Sequence, residues 1–212
     1  SVADIEAFWA AIWDHFDIIS DQPCDRVLGR GAMPGAEWFP GSRVNYAEHI
    51  LRREGDHPER TMMYHLSEIR PLAEMSWGEV GGRVRILAEK LRAMGVVPGD
   101  RVVSYMPNVP ETIIACLAVT AIGAIWSSAA PEFGVKTVAD RFSQIAPKVI
   151  FAADGYRFAG KDFPRKAELE QIFENLPTLE TVVWLDYLGN VGRPEAGGRA
   201  ILSWEDMTTG TP

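Results

Sequence analysis

Cysteine is scarce in this chain: only Cys24 and Cys116 occur in 212 residues. They lie far apart and form neither a Cys-x-x-Cys nor a zinc-type spacing, which excludes a disulfide scaffold or thiolate metal site. No Asn-x-Ser/Thr sequon occurs, and the first residues carry neither a basic segment nor an apolar signal core. Together these absences set the expectation of a cytoplasmic protein. Basic excess is missing too: 21 Lys plus Arg face 29 Asp plus Glu, a net charge of −8 that disfavours a nucleic-acid partner and leaves room for a local phosphate-holding patch. Of long apolar runs there is one, Thr112 to Pro131, uncharged throughout. A membrane span and a buried helix followed by a covered strand share such a composition. The second is expected, because Gly123 divides the run into a helix-sized and a strand-sized piece, and no membrane partner follows.

What is present suits a soluble α/β protein. With 47% apolar and 24% charged residues, the chain is long enough to bury a core without covalent staples. Ile5, Phe8, Trp9, Ile12 and Phe16 recur at helical spacing and predict an amphipathic helix whose stripe docks on its own domain. Ser20 to Gly41 reads as irregular, and Asn45 as the cap of a short helix through Arg53. Thr61–Leu66 and Ile69–Met75 read as a hairpin, followed by a capping box at Ser76 and Glu79. That helix is expected to bury Val80, Val84, Leu87, Leu91 and Met94.

Strands beginning near 101, 124, 148 and 181, with helices between them, predict βαβ units and a parallel sheet. The fold class is therefore α/β: an N-terminal helical extension and a β-hairpin, then βαβ units. Leu188 to Arg199 reads as loop, and no element is visible from Thr208 to Pro212. Ligands of such sheets bind beyond the carboxyl ends of the strands, which here selects Pro107-Asn108, Ser127 to Phe133 and Asp154 to Lys161.

Local motifs carry little chemistry. Gly155 to Lys161 fits G-x-x-x-x-G-K, but Asp162 replaces the magnesium-holding hydroxyl and Pro164 interrupts the helix that should follow. A looser phosphate clamp from Arg157 and Lys161 and a solvated basic loop both remain open. His49, His57 and His65 stand eight apart, off adjacent helical turns, so no metal site is expected. Neither a nucleophile elbow nor a dinucleotide fingerprint occurs.

Longer segments resemble a known family. Trp38 to Glu48 is similar to a segment of acetyl- and acetoacetyl-CoA synthetases. Ser76 to Val80, Gly95 to Val102, Tyr105 to Glu111 and Ala121 to Ser128 resemble the early core of adenylate-forming acyl-CoA ligases. Ala130 to Val135 with Asp140 to Phe142 most resembles the acetoacetyl-CoA synthetases; acetyl enzymes usually carry His-Ser where this chain has Trp126-Ser127. The similarity runs from about residue 5 to 205. It implies residues 1–58 as the N-terminal extension, 59–186 as the first part of the large domain, and 187–212 as a loop-rich tail ending before the nucleotide-binding motifs.

The resemblance further implies small-molecule substrates: acetoacetate, CoA, and ATP with Mg. The acid and ATP form an acyl-adenylate and pyrophosphate, and the CoA thiol then releases AMP. In such enzymes cations after an Ala-Asp-x-Gly segment contact the CoA 3′-phosphate, which carries that role onto Arg157 and, more loosely, Lys161. Phe133 falls near the adenine. No residue matches a catalytic position and no tightly bound cofactor is expected. The remainder of the polypeptide is then the missing partner, and the 212 residues alone are expected to be inactive. Two alternatives stand beside this reading: a ligase for acetate or another short acid, and a stand-alone module binding CoA or a protein.

Overall fold

A computed structural model describes residues 3–211, which fall into two compact units parting between Arg52 and Arg53. The first holds α1 (Ile5–His15) and α2 (Tyr46–Leu51). Asp4 caps α1 by accepting from the Ala7 N–H at 2.8 Å, and Asn45 caps α2 through the N–H groups of Ala47 and Glu48. Trp9 meets Trp38 at 5.7 Å between ring centroids, and Trp13 meets Phe39 at 4.4 Å. No residue of α1 is buried, however, and Ile5, Phe8, Trp9 and Phe16 are exposed. The expected docking of the stripe is therefore only partial: Trp9 meets the irregular segment, while Ile5, Phe8 and Phe16 stay open.

The second unit opens with α3 (Arg53–Asp56), then β1 (Thr61–His65) and β2 (Ala73–Ser76), an antiparallel pair. Residues 66–72 stay outside this ladder: Ser67 Oγ accepts from the N–H groups of Ile69 and Arg70, forming a side-chain turn. At α4 (Trp77–Ala93) the reciprocal capping box is present, Ser76 N–H to Glu79 at 2.7 Å and Glu79 N–H to Ser76 Oγ at 3.2 Å. Val80, Val84, Leu87 and Leu91 are buried as their spacing predicts, while Met94 is half-buried.

A parallel sheet forms the body. Its strands are β3 (Arg101–Tyr105), β4 (Ile125–Ala129), β5 (Val149–Ala153), β8 (Thr181–Leu185) and β9 (Ala200–Ser203), in the order β4-β3-β5-β8-β9. The chain thus leaves β3 to one side for β4 and returns to the other for β5. Between β3 and β4 runs α5 (Pro110–Ala121), with Pro110 in its first turn; between β4 and β5 runs α6 (Val135–Ser143). After β5 come a small antiparallel pair, β6 (Gly155–Phe158) and β7 (Lys161–Pro164), and then α7 (Lys166–Glu174). Last is α8 (Trp204–Thr208), capped by Ser203.

Alternation along the strands makes two cores. Val103, Tyr105, Ile150, Ala152, Val182 and Trp184 face Val138 and Phe142 of α6 and Leu169, Ile172 and Phe173 of α7. On the opposite face α4 packs with α5 and α8. The central β5 is buried along its whole length, as a parallel strand covered on both faces should be. β4 is different: it is the sheet edge, and Ile125 is half exposed. The uncharged run thus divides into helix and strand, but its strand is not covered as expected. Among the described residues no helix is long and apolar enough to cross a membrane. Cys116 on α5 is half-buried, a little more open than its apolar neighbours suggest, and its burial pushes the thiol pKa up.

The stretch expected to be loop-rich holds β9 and α8. Arg199 ties it down by donating to the carbonyls of Phe173, Leu176 and Leu179 at 2.9–3.1 Å, satisfying exposed ends around the close of α7. Pro212 lies outside the described residues.

Candidate functional site

Gly155 to Lys161 is not a phosphate loop. Gly155 opens β6, Ala159 and Gly160 form a two-residue turn with φ of 51° and 74°, and Lys161 opens β7. Positive φ at both turn positions matches the right-handed twist of the strands. The register sets Arg157 directly opposite Asp162. Their side chains form a bidentate pair, Nε to Oδ1 at 2.6 Å and Nη2 to Oδ2 at 2.9 Å. This contact holds the Asp162 carboxyl below the usual aspartate range and raises the Arg157 guanidinium.

The hairpin forms one wall of a cleft of about 310 Å³ at the carboxyl end of the sheet. Pro107 to Val109, following β3, and Ala130 to Glu132, following β4, form its other sides. Ser67 and Glu68 close it from the β1–β2 connection, and Tyr187 from the end of β8. The cleft therefore lies where the strand order reverses, between β3 and β5, the usual crevice for ligands in such sheets. All three strand-end segments selected from sequence reach it, through Pro107-Asn108, Ala130 to Glu132, and Tyr156 with Arg157.

Each wall has a local reason for its position. The Tyr105 hydroxyl lies 2.7 Å from the Pro131 carbonyl and 2.8 Å from that of Phe133, so it donates into the turn after β4. Burial pushes its pKa up to about 12, which keeps it a donor. Arg165 donates from Nε to the same Pro131 carbonyl at 2.7 Å and lies over the Tyr156 ring at 5.1 Å, joining that turn to the hairpin. Arg70 donates from Nη1 to both carboxylate oxygens of Glu111 at the start of α5 and lies 4.7 Å from the Tyr187 ring centroid. Glu68 accepts from the turn N–H groups of Ala159 at 2.8 Å and Gly160 at 2.7 Å.

Asp154 anchors the base of the hairpin. Fully buried, its carboxylate accepts from the N–H groups of Tyr187 and Leu188 at 2.9 and 2.8 Å, and of Gly189 at 2.8 Å. Such a carboxylate is satisfied without a cationic partner. Next to it, Gly155 leaves room for backbone alone, since its Cβ position is already taken up by Phe163, Leu188 and Pro164.

Of the sequence-selected residues, Arg157 lines the cleft. Lys161 and Phe133 are not among the lining residues. Lys161 is exposed and pairs across the hairpin with Phe158; Phe133 is partly exposed, with the Arg141 guanidinium 5.2 Å over its ring. Sequence reasoning missed Glu68, Tyr187 and the role of Asp162. Tyr187 follows a strand end and was within reach of the same rule, whereas nothing local distinguishes Glu68. No His, Cys or Lys lines the cleft. Among the described residues no group of three His, Cys, Asp or Glu could hold a metal ion.

Residues 51–201 match the family described as AMP-binding enzyme, and residues 1–50 match the acetyl-coenzyme A synthetase N-terminus. The chain belongs to the AMP-binding enzyme family. Its similarity to acetoacetyl-CoA synthetase of Rattus norvegicus is 40% identity over 191 residues, covering 89% of this chain and 28% of the relative. The acetoacetyl-coenzyme A synthetase of Rhizobium meliloti (strain 1021) is 40% identical over 203 residues, covering 96% of this chain and 29% of its own length. A solved structure, acetoacetyl-CoA synthetase from Streptomyces lividans, superposes with a TM-score of 0.91 at 41% identity, over 98% of this chain and 31% of that one. The chain thus spans less than a third of the relatives it matches, and its α/β architecture is that of the N-terminal part of an adenylate-forming enzyme.

Proposed function

We propose that this chain is the N-terminal part of an AMP-forming ligase that joins acetoacetate to CoA. The observation that carries the reading is its 40% identity to acetoacetyl-CoA synthetases across nearly its whole length. In the reaction the acid carboxylate attacks the α-phosphorus of ATP and expels pyrophosphate. The CoA thiol then attacks the acyl carbon, and AMP leaves as the C–S bond forms. The hairpin and the turn after β4 contribute binding to this chemistry. Arg157 takes the CoA 3′-phosphate, Lys161 adds a second cation from the neighbouring strand, and Phe133 meets the adenine.

Magnesium would arrive with ATP as part of that substrate. The chain spans less than a third of the relatives it matches, so the 212 residues alone should form no AMP from ATP, acetoacetate and CoA. Two free thiols suit a cytoplasmic setting.

The test is Arg157→Ala in the full-length protein carrying this chain. CoA binding should weaken about tenfold, low in the range for charge-assisted bonds because the group is exposed. With 3′-dephospho-CoA the change should nearly vanish. Equal weakening for both ligands would remove Arg157 from the 3′-phosphate.

A further inference from the structure

The hairpin beside the cleft offers an anion two kinds of donor, and carboxylates of this chain already hold both. The Arg157 fork is filled by Asp162 through two parallel bonds, and the turn N–H groups of Ala159 and Gly160 are filled by Glu68. A guanidinium fork matches a carboxylate and a phosphate equally well in shape, so the two compete for the same N–H groups. The two-residue turn fixes the register, and with it the position of Asp162 opposite Arg157.

We infer that Asp162 is an internal competitor that sets how strongly Arg157 holds a phosphate. This rests on the proposed CoA reading of Arg157. An arriving phosphate must take the fork from a carboxylate carrying one negative charge, and that carboxylate then remains nearby to repel it. A phosphate monoester dianion can overcome this, whereas a singly charged phosphodiester or carboxylate meets an equal rival. Asp162 thereby lowers affinity for phosphate and favours the doubly charged terminal group over other anions. The pair is partly exposed, 36% for Arg157 and 29% for Asp162, so displacing the carboxylate has a small cost and leaves the site usable.

The experiment compares the full-length protein with Asp162→Asn, Arg157→Ala and the double variant, titrating CoA and 3′-dephospho-CoA by calorimetry. Asp162→Asn should tighten CoA binding roughly two- to fivefold, the range for releasing an exposed ion pair. It should leave 3′-dephospho-CoA unchanged, and the gain should disappear when Arg157 is Ala. If Arg157→Ala weakens CoA but Asp162→Asn changes nothing, the competitor role is wrong and the CoA reading stands. Weaker CoA binding in Asp162→Asn would make Asp162 an orienting residue, also against the inference. If Arg157→Ala itself has no effect on CoA, the CoA reading of Arg157 fails and the inference with it. Amide exchange at Ala159 and Gly160 reports whether the hairpin survives, and Asp162→Thr, a better strand former, serves as second variant. Loss of hairpin protection in both would make Asp162 structural and overturn the proposal.

Discussion

Gly155 sits so close to Phe163 across the β6–β7 pair that a Cβ on it would run into the Phe163 carbonyl oxygen. It would also stand 2.7 Å from Leu188 Cδ1 and 3.0 Å from the Pro164 Cα. Two of these three atoms belong to backbone, which cannot rotate away. The glycine that resembled part of a phosphate loop is there because two backbone segments touch.

Gly155→Ala should therefore destabilise the protein by about 1–3 kcal/mol, the usual cost of overpacking a close contact. A lower urea midpoint at unchanged slope is the expected result. A change under about 0.5 kcal/mol would mean that the hairpin yields at no cost.

The Arg70–Glu111 pair joins the β1–β2 connection to the start of α5 with bonds of 2.8 and 3.0 Å, and both side chains are largely covered. A double-mutant cycle with Arg70→Gln and Glu111→Gln should give a coupling of about 1–2 kcal/mol in stability. Arg70→Lys should restore only part of it, because an ammonium lacks the planar face that lies over Tyr187. Simple additivity of the two single variants would show that the pair contributes nothing of its own.

Acid should expose the contribution of Asp100. The Val97 N–H donates to its carboxylate at 3.0 Å, and Lys148 Nζ lies 3.4 Å away; these hold its pKa below the usual aspartate range. A carboxyl depressed in the folded state adds stability that is fully present above the unfolded value, about pH 4, and is lost as pH falls through the folded value. The stability gap between wild type and Asp100→Asn should thus be constant near neutrality and close below about pH 4. Denaturant unfolding of both across that range is the measurement, and a gap that widens in acid would contradict the assignment.

Much of the fold was legible because its signals are local. The capping box at Ser76 and Glu79 involves residues three apart, and Pro110 starts α5 from within its own first turn. Short apolar runs such as Val149–Ala153 and Thr181–Leu185 state their strand character over five residues. From the order of such segments, the parallel sheet and the strand ends facing the cleft follow without knowing any contact.

The hairpin after β5 is a different case. Ala159-Gly160 is a weak turn signal, since the first residue must take a positive φ that alanine disfavours; strand pairing with β7 and the Glu68 carboxylate hold it there. Glu68 and Ala159 stand 91 residues apart, a contact no local pattern can announce. The same holds for β4, whose apolar Ile125 reads as buried until the sheet order leaves it on an edge. The sequence by itself determined the capped helices and the apolar strands, through capping, period and turn chemistry acting within a few residues. Only the tertiary structure decided that Arg157 meets Asp162 at the cleft wall, because register and long-range contacts choose which charges face each other.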